Sequence, residues 1–161
     1  MTDAHAPERD DELQTTITIE ATPAQVWALV TDVKRMNEWS PQVVKTVVLG
    51  GPLRLGTRFV NLNRQGWKRW PTTAKVVRFQ PHADFAFRVT ENGTIWSFQL
   101  GPTDDGGTLV THRRETPNGI SALSRVLTKV ALGGQEPFVA ELRAGMAQTL
   151  ARVKAEAESH Q

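Results

Sequence analysis

The stretch TPAQVWALVTDVKRMNEWSPQV occupies residues 22–43, and its reading decides the fold. Thr22 suits a helix N-cap, Pro23 the first helical position, and Gln25 completes a capping box. Val26, Leu29, Val30, Val33 and Met36 recur at helical spacing until Ser40-Pro41 ends the pattern, and Asp32 marks a break into two short helices. Two tryptophans, Trp27 and Trp39, crowd this short segment. So much aromatic surface on two short helices requires something large to pack against.

The segments on either side supply it. Upstream, QTTITIE alternates, with Ile17 and Ile19 on one face and Thr16, Thr18 and Glu20 on the other, the pattern of a half-buried strand. Downstream, strands are expected over 42–49, 57–65, 72–80, 84–90, 94–101 and 107–115. Their separators are short: GGP at 50–52, QGWKRWP at 65–71, QPH at 80–82, ENG at 91–93 and TDDGG at 103–107. Links of that length join antiparallel neighbours. Ile120, Leu123, Leu127 and Val130 suggest a helix stopped by Gly133-Gly134. From Pro137 onward, Phe138, Val139, Leu142, Met146, Leu150 and Val153 form a wide apolar stripe, with Gly145 and Thr149 on its edge. A strand, two short helices, six strands and a long final helix make an α+β architecture, the helix packed on one face of a curved antiparallel sheet.

Composition narrows the chemistry. The chain has 161 residues, no cysteine and no tyrosine, which excludes disulfides, thiol nucleophiles, thiolate metal sites and a phenolic acid. His5 and His160 lie near the ends and His82 in a turn, leaving His112 alone, so no metal site is expected. No GxSxG, Walker or GxGxxG loop occurs, and no cofactor is expected. Residues 1–12 carry five acids and one base, the composition of a disordered acidic tail preceding a single domain over 13–158. That tail lacks the character of a secretory signal, and no apolar run reaches the roughly 20 residues that span a bilayer, so a cytoplasmic protein is expected. Between Glu38 and Asp84 there is no acid, while Lys45, Arg54, Arg58, Arg64, Lys68, Arg69, Lys75 and Arg78 fall inside.

The order of elements resembles the helix-grip fold of START-like, or SRPBCC, domains, and more narrowly the bacterial polyketide cyclase/dehydrase and lipid-transport family. The residues that carry the resemblance are ITIEATPAQVWALVTDVKRMNEWSP (17–41), GTRFVNLNRQGWKRWPTTAKVV (56–77), FAFRV (85–89), WSFQL (96–100), GGTLVTHRRE (106–115) and ELRAGMAQTLARVKAEAE (141–158). It implies a seven-stranded curved antiparallel sheet wrapped around the C-terminal helix, with two short helices after the first strand closing one end of a cavity. Trp27 would then anchor the first helix to the sheet, and Trp39 would stand near the cavity entrance.

Strand facing determines what such a cavity contains. If Val110 points inward, so do His112 and Arg114; if Leu109 does, His112 lies in solvent. If Phe59 points inward, Asn61 and Asn63 offer amide groups to a ligand; if Val60 and Leu62 do, they are surface residues, and the first facing is preferred because the second brings Arg64 in. Trp70 and Trp96 read as core residues before ligand platforms, and Gly145 as a close-packing site before a ligand-spacing one. The candidate binding residues are Trp39, Phe59, Asn61, Asn63, Phe87, Trp96, His112, Arg114 and Thr149. Three functions follow: binding of a hydrophobic small molecule, lipid or polyketide-like, as carrier or sensor; a cyclase or dehydratase with His112 as general acid/base and Arg114 and Asn63 polarising or orienting a carbonyl; and docking on an anionic membrane surface through the basic hairpin 54–78. No nucleic acid is expected, since no recognised binding module is present, and the sequence leaves the oligomeric state open.

Overall fold

The computed structural model describes residues 13–116 and 135–159. The acidic segment 1–12 and the helix expected over 120–130 lie outside the described residues. The chain runs β1 (Leu13–Ile19), α1 (Pro23–Val30), a 3₁₀ turn (Val33–Arg35), α2 (Met36–Trp39) and β2 (Val43–Leu49). It continues with β3 (Arg58–Gln65), β4 (Lys68–Gln80), β5 (Asp84–Val89), β6 (Ile95–Pro102), β7 (Thr108–Glu115) and the long helix α3 (Gln135–Ser159). The seven strands form one antiparallel sheet in the order β1-β7-β6-β5-β4-β3-β2. With α3 on its inner face and the short helices after β1, this is the helix-grip fold.

The capping box forms as the sequence indicates. Gln25 N–H donates to Thr22 Oγ1 at 3.2 Å, and Thr22 N–H donates to Gln25 Oε1 at 2.9 Å. The 3₁₀ turn begins directly after Asp32, so the helical pattern does divide there. Trp27 is buried and meets Phe79 edge-on at 5.2 Å and Phe85 at 6.3 Å, which pins α1 against β4 and β5.

Two departures from simple alternation shape the sheet. The pairing slips by one residue between Val43 and Lys45 in β2 and between Val76 and Arg78 in β4. Each bulge bends its strand and reverses which residues face inward. In β4 this turns Phe79 toward Trp27, although it is an odd number of residues from the inward-facing Val76. The second departure is the length of β4. QGWKRWP is not a seven-residue loop: Gly66 and Trp67 alone turn the chain, and Lys68 already pairs with Gln65. Gly66 sits at φ 60°, where a side chain is disfavoured, so a tight turn closes without strain. Pro71 is tolerated within β4 because β5 ends opposite Ala74, leaving residues 68–71 bonded on one side only.

These contacts rank the first helix's supports. In urea unfolding, Thr22→Ala is expected to lose about 1 kcal/mol through its cap. Trp27→Ala is expected to lose about 3–5 kcal/mol, because it vacates a buried three-ring contact.

Candidate functional site

The helix and the sheet do not fill the space between them completely. The C-terminal half of α3 inserts Leu150, Val153 and Ala157 into the main core. Its N-terminal half carries Leu142 and Met146, which join Leu13 in a separate, smaller cluster. Between the two lies a cavity of about 190 Å³, bounded by α3 through Gly145 and Thr149 and by α2 through Met36 and Trp39.

Strand parity determines the remaining wall. In β7, Val110, His112 and Arg114 are all buried, while Leu109 is 45% exposed, so this strand faces inward with its basic groups. In β3, Phe59 and Asn61 are buried and Arg64 is exposed. Asn61, Asn63, Phe87, Trp96, His112 and Arg114 therefore line the cavity together with Trp39 and Thr149. Phe59 is the exception among the expected residues. It is fully buried against Phe87 at 5.2 Å, behind the lining, and belongs to the core.

His112 is held from two sides. Its ring stacks on Phe98 with centroids 4.1 Å apart and planes 10° from parallel, and its Nδ1 lies 2.8 Å from the Ser97 carbonyl oxygen. A carbonyl only accepts, so Nδ1 carries the proton and Nε2 keeps its lone pair. Burial in this apolar setting pushes the imidazole pKa down to about 4, only partly opposed by the Ser97 hydrogen bond. At neutral pH His112 is an uncharged acceptor. Nε2 makes no hydrogen bond among the described residues.

The other polar groups are positioned by their neighbours. Asn61 Oδ1 accepts from Thr46 Oγ1 at 2.6 Å, and its Nδ2 contacts Met36 Sδ at 3.7 Å. Asn63 Nδ2 donates to Thr72 Oγ1 at 2.8 Å and to the Trp70 carbonyl at 3.2 Å, leaving Oδ1 as an acceptor at the cavity wall. The Arg114 guanidinium lies 5.9 Å from the Trp96 ring centre. Trp39 is buried, with the Arg35 guanidinium 5.2 Å from its ring. Arg35 is fixed in turn by Glu38 at 2.6 Å and Glu156 at 2.8 Å, which ties α2 to the end of α3.

Three lining features differ from the sequence reading. Trp70 is not a core residue: it is 39% exposed and stands at the cavity rim, whereas Trp96 lines the wall as a candidate binding residue. Gly145 is not required by close packing: a Cβ there would find only Pro41 Cγ, at an ordinary 3.8 Å. Met36, Leu142 and Met146 also line the cavity; helical spacing marks them only as stripe residues, because a gap beside a helix leaves no trace in its periodicity. Among the described residues no cluster of three or more His, Asp or Glu could hold a metal, and no helix is long and apolar enough to cross a membrane.

The model of the polyketide cyclase/dehydrase and lipid-transport family matches residues 11–158. The chain belongs to this family. No curated protein matches it significantly. Among solved structures it is similar to the KanY protein at 19% identity, with 91% of this chain and 97% of that one covered and a TM-score of 0.67. A Polyketide_cyc-like protein from Corynebacterium glutamicum shares 25% identity over 92% of both chains, with a TM-score of 0.61. The di-domain ARO/CYC StfQ of the steffimycin biosynthetic pathway shares 14% identity, with 92% of this chain and 51% of that one covered and a TM-score of 0.63. At 14% and 19% identity the likeness is one of fold.

The buried imidazole makes a pH prediction. Its pKa is near 6.5 in the unfolded chain and about 4 in the folded one, so between those values the unfolded state binds more protons and folding weakens as pH falls. This contribution is fully present above pH 6.5 and costs up to about 3 kcal/mol by pH 4. Urea midpoints measured across that window should fall more steeply for the wild type than for His112→Gln. Parallel slopes would show that His112 titrates normally.

Proposed function

We propose that this chain binds a compact hydrophobic small molecule carrying a hydrogen-bond donor, as a carrier or sensor. The observation that carries the reading is the neutral, unprotonated Nε2 of His112 in the wall of an otherwise mainly apolar cavity. Apolar walls with a few convergent polar groups are the usual makeup of a ligand site. Asn63 Oδ1 adds a second acceptor, and Phe87, Trp96 and Trp39 supply flat surface for a ring or an acyl chain.

Volume limits the occupant. Ligand sites commonly measure about 300–1,000 Å³, and this one is about 190 Å³. It suits one or two fused rings or the end of a longer chain, with the remainder of a larger ligand projecting past Trp70. Membership of a family that includes polyketide cyclases and lipid carriers supports both kinds of compound.

The same imidazole bears on the enzymatic alternative. A general acid at neutral pH needs a proton on the nitrogen facing the substrate, and a pKa near 4 withholds it. A base that weak is also poorly matched to carbon acids. The arrangement favours recognition of a hydroxyl over proton transfer.

Two probes test the reading, 2-naphthol and naphthalene, followed by tryptophan fluorescence and native mass spectrometry. The hydroxyl should make 2-naphthol bind about 3–10-fold more tightly, and His112→Phe should erase that difference. Gly145→Leu places side-chain atoms into the space its glycine leaves open and should weaken both probes at least about 10-fold. It should not unfold the protein, since leucine favours the helix over glycine by roughly 0.8 kcal/mol. Equal probe binding by Gly145→Leu and wild type would place the ligand elsewhere.

A further inference from the structure

We propose that the tip of the β3–β4 hairpin docks the protein on an anionic lipid surface and holds the cavity mouth against it. The tip is the two-residue turn at Gly66-Trp67, and Trp67 is 88% exposed. Of the six exposed large apolar side chains among the described residues, the two tryptophans, Trp67 and Trp70, stand at this tip, within the stretch that holds no acid. Exposed indoles and the bases Arg64, Lys68 and Arg69 thus share the tip. An indole with basic neighbours suits the headgroup layer, where Trp settles at the interface and Lys or Arg attract anionic lipid.

The register sharpens this. Arg64 faces Arg69 directly across the hairpin, and Gln65 faces Lys68. Like charges set opposite one another destabilise a hairpin, and no carboxylate relieves them: among the described residues Arg64, Lys68 and Arg69 make no ion pair. Glu141, the acid bonded to this hairpin end, accepts from Gln65 at 2.9 Å, and Glu91 receives the Thr73 N–H. Of the eight bases in the acid-free stretch, Arg78 alone forms ion pairs among the described residues. Arg78, at its far end, binds Asp84 at 2.9 Å and Glu115 at 3.0 Å. What sets the tip apart is density: Arg64, Lys68 and Arg69, none of them in an ion pair, stand within six residues of chain that also carry the exposed Trp67.

The tip is also the rim of the cavity. Asn63, Gln65, Trp70 and Thr72 belong to the same hairpin arm and line the cavity. With Trp67 in the headgroup layer, this arm places the mouth at the lipid boundary, where an apolar occupant can enter or leave without crossing water. The docking goes beyond the cavity reading and stands on separate residues.

Sedimentation with vesicles tests it, using phosphatidylcholine alone and phosphatidylcholine mixed with phosphatidylserine over a salt series. Wild type should bind the anionic vesicles, release from them as salt rises, and ignore the neutral ones. Each basic residue near an anionic surface contributes about fivefold, so Lys68→Glu/Arg69→Glu should lower the partition coefficient by at least about 25-fold. Trp67→Ala should lower it several-fold and abolish quenching of tryptophan fluorescence by brominated lipid. Far-UV circular dichroism confirms that both variants fold, and Gly145→Leu should bind vesicles like wild type. Indifference to lipid charge or to salt, or equal partition of the double reversal, overturns the proposal. So does binding to single-stranded DNA in place of vesicles. Loss of 2-naphthol binding with vesicle binding intact would remove the cavity reading and leave the docking standing.

Discussion

The burial of α3 in the concave face of the sheet is the contact on which the rest of the molecule depends. A seven-stranded sheet with one apolar face must cover that face, and a single helix of 25 residues runs along it. Leu142, Met146, Leu150, Val153 and Ala157 recur every three or four residues as the buried stripe. One helix is narrower than seven strands, so α1 and α2 cover what it leaves open, with Trp27 and Trp39 as their fillers. The aromatic load on those two short helices follows from this geometry. Each must cover much area with few residues.

The cavity arises where this covering is thinnest. Gly145 and Thr149 replace bulk on the helix just where Leu142 and Met146 part from the Leu150 end. Thr149 satisfies its own hydroxyl by donating to the Gly145 carbonyl at 2.9 Å, so it adds little demand for a partner in the gap. The polar groups of the opposite wall are similarly committed on one side and open on the other. His112 has used one nitrogen on Ser97, and Asn63 has used its amino group on Thr72 and Trp70. Fixing each group by one bond removes rotational freedom before any ligand arrives, which lowers the entropy cost of binding.

Charge is distributed with equal asymmetry. On the outer face, Arg78, Asp84, Arg113 and Glu115 join three strands through ion pairs. The β3–β4 tip has basic groups without such partners. Side chains at the tip project past the ends of neighbouring strands, since β5 stops at Val89 opposite Ala74, and acids on those strands cannot reach them.

By itself the sequence determined the element order, the capping box of Thr22 and Gln25, and the break at Asp32, because each depends on residues a few positions apart. It also placed the turns, apart from QGWKRWP, where Lys68, Arg69 and Trp70 already belong to β4 and concealed a two-residue hairpin. Facing was different. In β7 and β3 both alternations mix apolar and polar groups, so neither face announces itself, and the decision came from pairing. Val110 lies opposite Leu100 and Ile17, and His112 opposite Phe98, so His112 follows its strand inward even though it is polar. The bulges at positions 44 and 77 reverse parity mid-strand, which periodicity cannot register. The cavity, the tautomer of His112 and the role of Gly145 likewise belong to the tertiary structure, because each is a relation between α3 and strands distant in the chain.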